Sequence, residues 1–286
     1  GTVTKVTKDW IDVATGGEIH ISLAAGVPAD RLVFHGNNKS PNELSRALDV
    51  GVGRVVIDSM VEMDRIETLV AAGAPAPTVL IRINPGIEAH THEYLRTGAV
   101  DSKFGITTEG GAAETAVERA RDSSTMDLIG IHAHVGSQVF DVASFERAIE
   151  VIARFAAPFD IEELSIGGGL GVAYVEGETA PTIPEWGKAV IDAATASGVQ
   201  ARIMAEPGRA IVAQAALTLY TVGTIKEIPQ VRTYVSVDGG MSDNPRPVLY
   251  GSGYEAFLPR ATDAARPKRV TIVGKHCESG DVLVRD

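Results

Sequence analysis

A carboxylate and a guanidinium stand three residues apart in the segment Glu206-Pro207-Gly208-Arg209, directly after a short apolar run. One explanation is a structural ion pair at the end of a strand. The other is a cofactor site, in which the acid holds a proton on a cofactor nitrogen while Arg209 and nearby backbone N–H groups hold anions. The sequence alone leaves both interpretations open.

A glycine run, GGGLG at 167–171, follows an earlier apolar run. Glycines at a strand end let backbone N–H groups close around a phosphate, and they also form ordinary tight turns. The spacing differs from the dinucleotide-binding fingerprint, and the run comes late in the chain. Its combination with Glu206 strengthens the cofactor interpretation.

Two histidines, His132 and His134, alternate along a predicted strand and therefore share one face of it. They are either ligands of a metal ion or hydrogen-bonded core histidines, and the spacing of the sequence reveals no third metal ligand.

Two polar loops in the last third of the chain also carry reactive groups. The loop 236–244 is followed by Arg246 and Tyr250, and the loop 274–281 places the single cysteine, Cys277, beside Glu278. A lone cysteine is either an inert packing residue or a catalyst, and spacing does not decide between them.

Composition limits the classes of protein that fit. The 286 residues carry 26 basic and 37 acidic side chains, a net charge of −11, which argues against a nucleic-acid partner. One cysteine excludes an internal disulfide framework and a zinc knuckle, and it is compatible with the cytoplasm. Because no apolar run approaches about 18 residues, we expect no membrane span.

Short β-branched runs alternate with helix-period segments up to about residue 213, a pattern typical of a parallel sheet covered by helices. A doubly wound sheet and a barrel both fit this alternation. Polar or glycine-rich turns follow nearly every run, the first of them at 15–18, which favours a TIM-type (β/α)8 barrel with its active face at those ends. The predicted strands lie at 12–14, 31–34, 54–57, 78–83, 128–132, 164–166 and 202–205. The predicted helices lie at 42–48, 62–72, 111–120, 144–155 and 184–196.

Only about eleven residues precede the first predicted strand, too few for another strand and helix. We therefore expect a barrel lacking its first strand over 1–213. Alternating runs at 217–222, 232–237, 270–273 and 282–284 predict an incomplete antiparallel β-sandwich domain over 214–286. The predicted fold class is α/β plus β.

Ten short segments, in the order in which they occur along the chain, resemble those of the fold-type III pyridoxal phosphate decarboxylases, and the likeness covers nearly the whole chain. Three motifs within these segments, EAHTHE, MSDN and KHCESGD, indicate the branch that acts on diaminopimelate. The matching segments are DVATGGE (12–18), FHGNNKS (34–40), VIDSM (56–60), EAHTHE (88–93), KFG (103–105), HAHVGSQ (132–138), GGGLG (167–171), EPGRA (206–210), SVDGGMSDN (236–244) and GKHCESGD (274–281).

The resemblance implies pyridoxal 5'-phosphate as cofactor and decarboxylation of meso-diaminopimelate to L-lysine and CO2, the last step of lysine biosynthesis. It implies that His134 stacks on the pyridine ring and that Glu206 pairs with the pyridine nitrogen. The implied phosphate contacts are Ser137 and the turn Gly167–Gly169, and Gly208 and Arg209 are further cofactor-binding residues.

For the substrate, the resemblance implies that Arg209, Arg246 and Tyr250 bind carboxylates and that Glu278 binds the distal ammonium. It implies Cys277 as the proton donor, reaching with Glu278 into the active site of the other subunit of a homodimer.

The family also holds its cofactor on a lysine upstream of 12–18, within a Tyr-Ala-x-Lys-Ala-like segment, and has a C-terminal tyrosine motif. Neither is present, and Lys5, Lys8 and Lys39 are poorly placed to replace that lysine. We therefore expect both ends of the enzyme to be missing and this chain to decarboxylate poorly. A related decarboxylase, a racemase of the same fold or a non-catalytic pyridoxal phosphate-binding homologue remains an alternative.

Overall fold

The computed structural model describes residues 10–86 and 101–285, which form two compact units. The first unit contains the described residues up to 171 together with 181–209. The second contains 172–180 and the residues from 210 onward. The predicted domain boundary after residue 213 stays a prediction. The segments 88–93 and 1–9, with Lys5 and Lys8, lie outside the described residues.

The first unit is built on a parallel sheet whose main strands all follow the predicted runs. These strands are β1 (Ile11–Val13), β2 (Leu32–Phe34), β3 (Arg54–Ile57), β4 (Thr78–Asn84), β6 (Asp127–His132), β7 (Glu163–Ser165) and β8 (Arg202–Met204), and a two-residue strand, β5 (Ile106–Thr107), pairs with β4. The order across the sheet is β1-β2-β3-β4-β6-β7-β8, with every pair parallel.

Helices connect the strands where the periodicity predicts them. They are α2 (Pro41–Val50), α3 (Met60–Ala71), α4 (Ala112–Arg121), α5 (Val142–Ala156) and α6 (Ile183–Ala196), joined by α1 (Gly16–Ala24) and the short α7 (Gly208–Val212). Capping boxes define two of the starts: Ser40 with Glu43 opens α2, and Thr182 with Glu185 opens α6.

The prediction of a turn at 15–18 was wrong, because α1 begins there. The Thr15 hydroxyl accepts the backbone N–H of Glu18, while the Glu18 carboxylate accepts the N–H of Ala14 at 2.7 Å. These contacts satisfy donors that the first turn leaves open, despite Gly16 and Gly17 in that turn.

The sheet is curled, as shown by an ion pair between strands that are not neighbours. Arg54, at the start of β3, donates Nε and Nη2 to the two carboxylate oxygens of Glu163, at the start of β7, at 3.0 and 2.9 Å. Strands β4 and β6 lie between them in the sheet order. Their starts face each other only if the sheet closes toward a barrel, which confirms the predicted barrel-type fold.

Above this ion pair, the curled sheet encloses an apolar layer. Val33, Val56 and Leu80 are buried together with Ile129, and Trp10 packs against them. The polar side chains at the ends of the strands therefore stand on a packed core rather than over a channel.

The second unit contains a four-stranded sheet and one short helix. Its strands are β9 (Val222–Ile228), β10 (Arg232–Val237), β11 (Thr271–Val273) and β12 (Val282–Val284), in the order β12-β11-β10-β9, and the helix is α8 (Arg246–Tyr250). The sheet is mixed rather than wholly antiparallel, because β10 and β11 run parallel.

The predicted strand at 217–222 was wrong except for Val222. A tight turn at 229–231, with Gln230 at a φ of 62°, reverses the chain, and Val231 N–H bonds to Ile228 O at 3.0 Å. This turn sets the pairing of β9 with β10, so the strand is the segment directly before it. Across the described residues, no helix has the length and apolar character that crossing a membrane requires.

Candidate active site

The carboxylate of Glu206 lies at the carboxyl ends of the strands and receives hydrogen bonds from two neighbouring strands. Ser165 Oγ donates to Glu206 Oε1 at 2.7 Å, and His132 Nε2 lies 3.2 Å from Oε2. His132 and Ser165 are register partners in the β6–β7 pair, which is why both reach the same acid. The carboxylate is thus fixed from two sides.

These contacts keep Glu206 ionised although it is half-buried. Burial raises the pKa of a carboxyl group, but His132 and Ser165 outweigh it and hold the pKa of Glu206 well below its usual range. Burial lowers the pKa of the His132 imidazole in spite of the neighbouring carboxylate, so the histidine is neutral near pH 7. Glu206 is therefore an anion held by neutral donors.

His35 adjoins His132, and Asp12 adjoins His35. The His35 ring, which follows β2, meets the His132 ring edge-on with centroids 5.1 Å apart, and His35 Nε2 lies 3.2 Å from Asp12 Oδ1. Ligand atoms of His35, His132 and Glu206 lie within 4.8 Å of one another, a spacing that a metal ion could also use. Sequence spacing did not reveal that His35 and Glu206 lie beside His132, because the three residues belong to different strands and loops.

His134 has a separate partner. Its Nδ1 accepts the backbone N–H of Gly168 at 3.1 Å, and burial lowers the pKa of its imidazole to about 4. Both histidines of the 132–134 pair are hydrogen-bonded, but each to a different group.

The glycine run forms a close-packed cradle around the backbone of Glu206. A Cβ at Gly168 would lie 2.0 Å from Glu206 O, and one at Gly169 would lie 2.1 Å from Gly136 O. Gly167 and Gly169 also have φ values of 67° and 103°. Only glycine fits these positions, so the run brings bare backbone beside the acid.

The remaining candidates of this unit surround the same strand ends. Ser137 is half-buried and precedes Gln138, whose φ is 57°. Gly208 donates its N–H to Glu206 O at 2.8 Å and begins α7, and Arg209 is half-buried at the next position.

A buried cluster of charges that the sequence interpretation missed lies at the ends of β3 and β4. Arg82 Nη1 lies 3.6 Å from Asp58 Oδ2, and its guanidinium stacks over the Phe104 ring at 4.6 Å. Asp58 Oδ1 accepts the N–H of Gly105 at 2.6 Å, which docks the 103–105 segment onto the sheet. A charged residue inside an otherwise apolar strand, as at Arg82, is the signal that could have revealed it.

Lys39 is part of that buried region and is committed to structural contacts. Its Nζ donates to Gly36 O, Val56 O and Glu62 Oε1 at 2.8, 2.6 and 2.6 Å. An ammonium group has three donors, and all three are used. These contacts support the expectation that Lys39 is not the cofactor lysine.

The other four candidates belong to the second unit. The Arg246 guanidinium lies 5.1 Å from the Tyr250 ring, and its Nε is buried with no hydrogen-bond partner among the described residues. Cys277 is exposed, and Glu278 Oε1 accepts from Ser279 Oγ and from Gly280 N–H, both at 3.2 Å.

Asp281, which the sequence analysis did not single out, joins the two polar loops of this unit. Its carboxylate accepts the N–H groups of Met241 and His276 at 2.6 and 2.9 Å. A Cβ at Gly240 or Gly274 would collide with this carboxylate, so both glycines permit the close approach.

Comparison with known proteins identifies the family to which this chain belongs. Residues 10–213 match the family described as pyridoxal-dependent decarboxylase, pyridoxal binding domain. This chain belongs to that family.

Within the family, the chain is similar to diaminopimelate decarboxylases. It is 42% identical over 295 residues to the enzyme of Mycobacterium tuberculosis strain H37Rv and 44% identical over 287 residues to that of Bacillus subtilis strain 168. Each alignment covers 96% of this chain and 66% or 65% of the relative, so the chain spans just under two thirds of their length. The crystal structure of diaminopimelate decarboxylase from Helicobacter pylori complexed with L-lysine superimposes with a TM-score of 0.85 at 31% identity, covering 97% of this chain and 69% of that one.

The residues of the first unit fit pyridoxal phosphate. Bare glycine backbone, where any Cβ would collide, stands next to an ionised carboxylate. A phosphate and a protonated ring nitrogen are the two groups that such a pair suits.

Proposed function

We propose that the protein is a pyridoxal phosphate-dependent carboxy-lyase that converts meso-2,6-diaminopimelate to L-lysine and CO2. The observation that carries the proposal is Glu206, an anion fixed by His132 and Ser165 beside the glycine cradle. The names of the relatives support the choice of substrate.

Bound pyridoxal phosphate would supply a ring that takes up the electron pair left when CO2 departs, provided that its pyridine nitrogen keeps a proton. The Glu206 carboxylate would accept a hydrogen bond from that N–H. His134 would cover a face of the ring, and Ser137, the Gly168–Gly169 backbone, Gly208 and Arg209 would hold the phosphate.

For the substrate, Arg209, Arg246 and Tyr250 bind its carboxylates, where a guanidinium fork suits a planar acid. The Nε of Arg246 has no hydrogen-bond partner within residues 10–86 and 101–285, which supports this role, because a buried donor needs an acceptor. Glu278 binds the distal ammonium, and Cys277 gives the proton that replaces the departing carboxylate. The exposure of the Cys277 side chain is compatible with action in the second subunit of a homodimer.

We place the protein in the cytoplasm, a proposal supported by its single cysteine and by the biosynthetic role of its relatives. A related amino-acid decarboxylase, a racemase of the same fold and a non-catalytic cofactor-binding homologue are the competing functions.

Product analysis separates these functions. With pyridoxal phosphate and meso-diaminopimelate, a form of the protein that also carries the cofactor lysine of the family should give L-lysine and CO2 in equal amounts, and no product from L,L-diaminopimelate, which lacks a D-centre. Release of CO2 from ornithine or lysine instead would indicate a related decarboxylase, and isomerisation without CO2 a racemase. Cofactor binding without any product would indicate the non-catalytic homologue.

A further inference from the structure

His132 and Ser165 are buried groups that contact Glu206, and the family resemblance gives neither of them a role. The two differ in that the His132 imidazole can change its charge. His132 is 1% exposed, and its Nε2 lies 3.1 Å from Glu206 Oε1 and 3.2 Å from Oε2. A side chain this close to both oxygens restricts how the carboxylate can turn.

The other ring nitrogen defines the protonation state of His132. Nδ1 is buried and has no hydrogen-bond partner among the described residues. A proton on Nδ1 would be a buried donor without an acceptor, which is costly. The neutral form with its proton on Nε2 avoids this cost and donates to Glu206.

We propose that His132 is a positioning residue that, together with Ser165, holds the Glu206 carboxylate ionised and in one orientation for the pyridine nitrogen of pyridoxal phosphate. This inference rests on the proposed function, since it requires that the cofactor bind here. The two donors use two of the roughly four acceptor positions of the carboxylate. The others remain for a proton on the cofactor nitrogen.

The surroundings of His132 maintain this arrangement. The His35 ring packs edge-on against the imidazole, while Asp12 bonds to His35 from the other side. Arg82 pairs with His132 in the β4–β6 register and adds positive charge nearby, which disfavours a second proton on the imidazole. Burial, with Arg82 and His35, therefore outweighs the attraction of Glu206 for an imidazolium and lowers the pKa of His132.

The test uses ring-¹⁵N-labelled pyridoxal phosphate bound to the protein, with its nitrogen shift followed against pH. In His132→Leu, which keeps bulk but loses the donor, we expect the pyridine nitrogen to lose its proton about one pH unit lower than in wild type. We also expect the Kd for the cofactor to rise about tenfold. His132→Gln restores an amide donor and should recover most of both effects.

Two further variants make the outcome specific. Ser165→Ala removes the second donor and should shift the nitrogen titration in the same direction by a smaller amount, which keeps the inference testable if His132→Leu does not fold. Ser144→Ala removes a buried hydroxyl from α5 and should leave the titration unchanged.

The results separate the two proposals. If wild type binds no pyridoxal phosphate, or binds it with an unprotonated nitrogen, the proposed function fails. If wild type binds it protonated and His132→Leu and Ser165→Ala titrate like wild type, the proposed function stands and the positioning role of His132 is wrong.

Discussion

The two ends of the curled sheet bury charge in different ways. At the strand starts, the Glu163 carboxylate is matched by two guanidinium groups, those of Arg54 and Arg202. At the strand ends, the Glu206 carboxylate is held by an imidazole that is neutral near pH 7 and by a hydroxyl.

This difference separates stability from function. Paired opposite charges with complete hydrogen bonds hold the strand starts together, and they leave little capacity for a ligand. An anion stabilised by neutral donors keeps its charge available for a positive group on a ligand. The charged residues at the strand starts therefore stabilise the fold, whereas the carboxylate at the strand ends is suited to bind a positive group of a ligand.

The largest expected effect comes from Glu206→Gln. An amide cannot hold a proton on the cofactor nitrogen as an anion does, so we expect kcat to fall by about 10²–10³-fold. Steady-state release of lysine, in a form of the protein that also carries the cofactor lysine of the family, measures the loss, and circular dichroism should match wild type. A rate within a few-fold of wild type would contradict the role of Glu206.

The same substitution at the opposite end should act on stability instead. Glu163→Gln leaves Arg54 and Arg202 without their anion, and the free energy of unfolding should fall by about 3 kcal/mol. Urea denaturation measures this change. Turnover per folded molecule should be unchanged. A large loss of kcat at full stability would show that Glu163 serves function rather than stability.

A smaller effect of pH follows from the same carboxylate. Burial opposes ionisation of Glu163, but Arg54 and Arg202 lower its pKa below the ordinary value of 4.5. A lowered folded-state pKa adds stability that is present above about pH 4.5 and lost as pH falls through the folded value. The unfolding free energy of wild type should therefore drop more steeply below about pH 4.5 than that of Glu163→Gln. Parallel curves for the two proteins would remove Glu163 as the cause.

The smallest effect concerns the start of α1, where neither Glu163 nor Glu206 takes part in the contacts. Thr15→Ala removes the hydroxyl that accepts Glu18 N–H, and we expect a loss of about 1 kcal/mol in thermal unfolding. The cofactor affinity should not change. A loss as large as that of Glu163→Gln would mean that stability is not concentrated at the strand starts.

The repeating elements could be predicted from the sequence because each one is local. The seven parallel strands and five crossover helices follow from periodicity and from the glycines, prolines and caps that punctuate it. Helix α1 was missed because Gly16 and Gly17 suggested a turn, although Thr15 and Glu18 carry the spacing of a capping box. Strand β9 was displaced because its bounds depend on a turn at Gln230.

The contacts of the candidate site could be predicted only in part. The polar residues that follow each strand can be recognised in the sequence, and Glu206 and His134 are among them. The contact of His132 with Glu206 joins residues 74 positions apart and depends on the curl of the sheet. No periodicity encodes that curl, so the sequence could not decide whether His132 is a metal ligand or a core histidine.

A crystal structure of the protein with bound pyridoxal phosphate would show whether Glu206 binds the pyridine nitrogen. We predict that a Glu206 carboxylate oxygen lies about 2.6–3.2 Å from that nitrogen, with the phosphate on the Gly167–Gly169 backbone and His132 still bonded to Glu206. A cofactor bound with its nitrogen away from Glu206, or with its phosphate away from the glycine run, would contradict it.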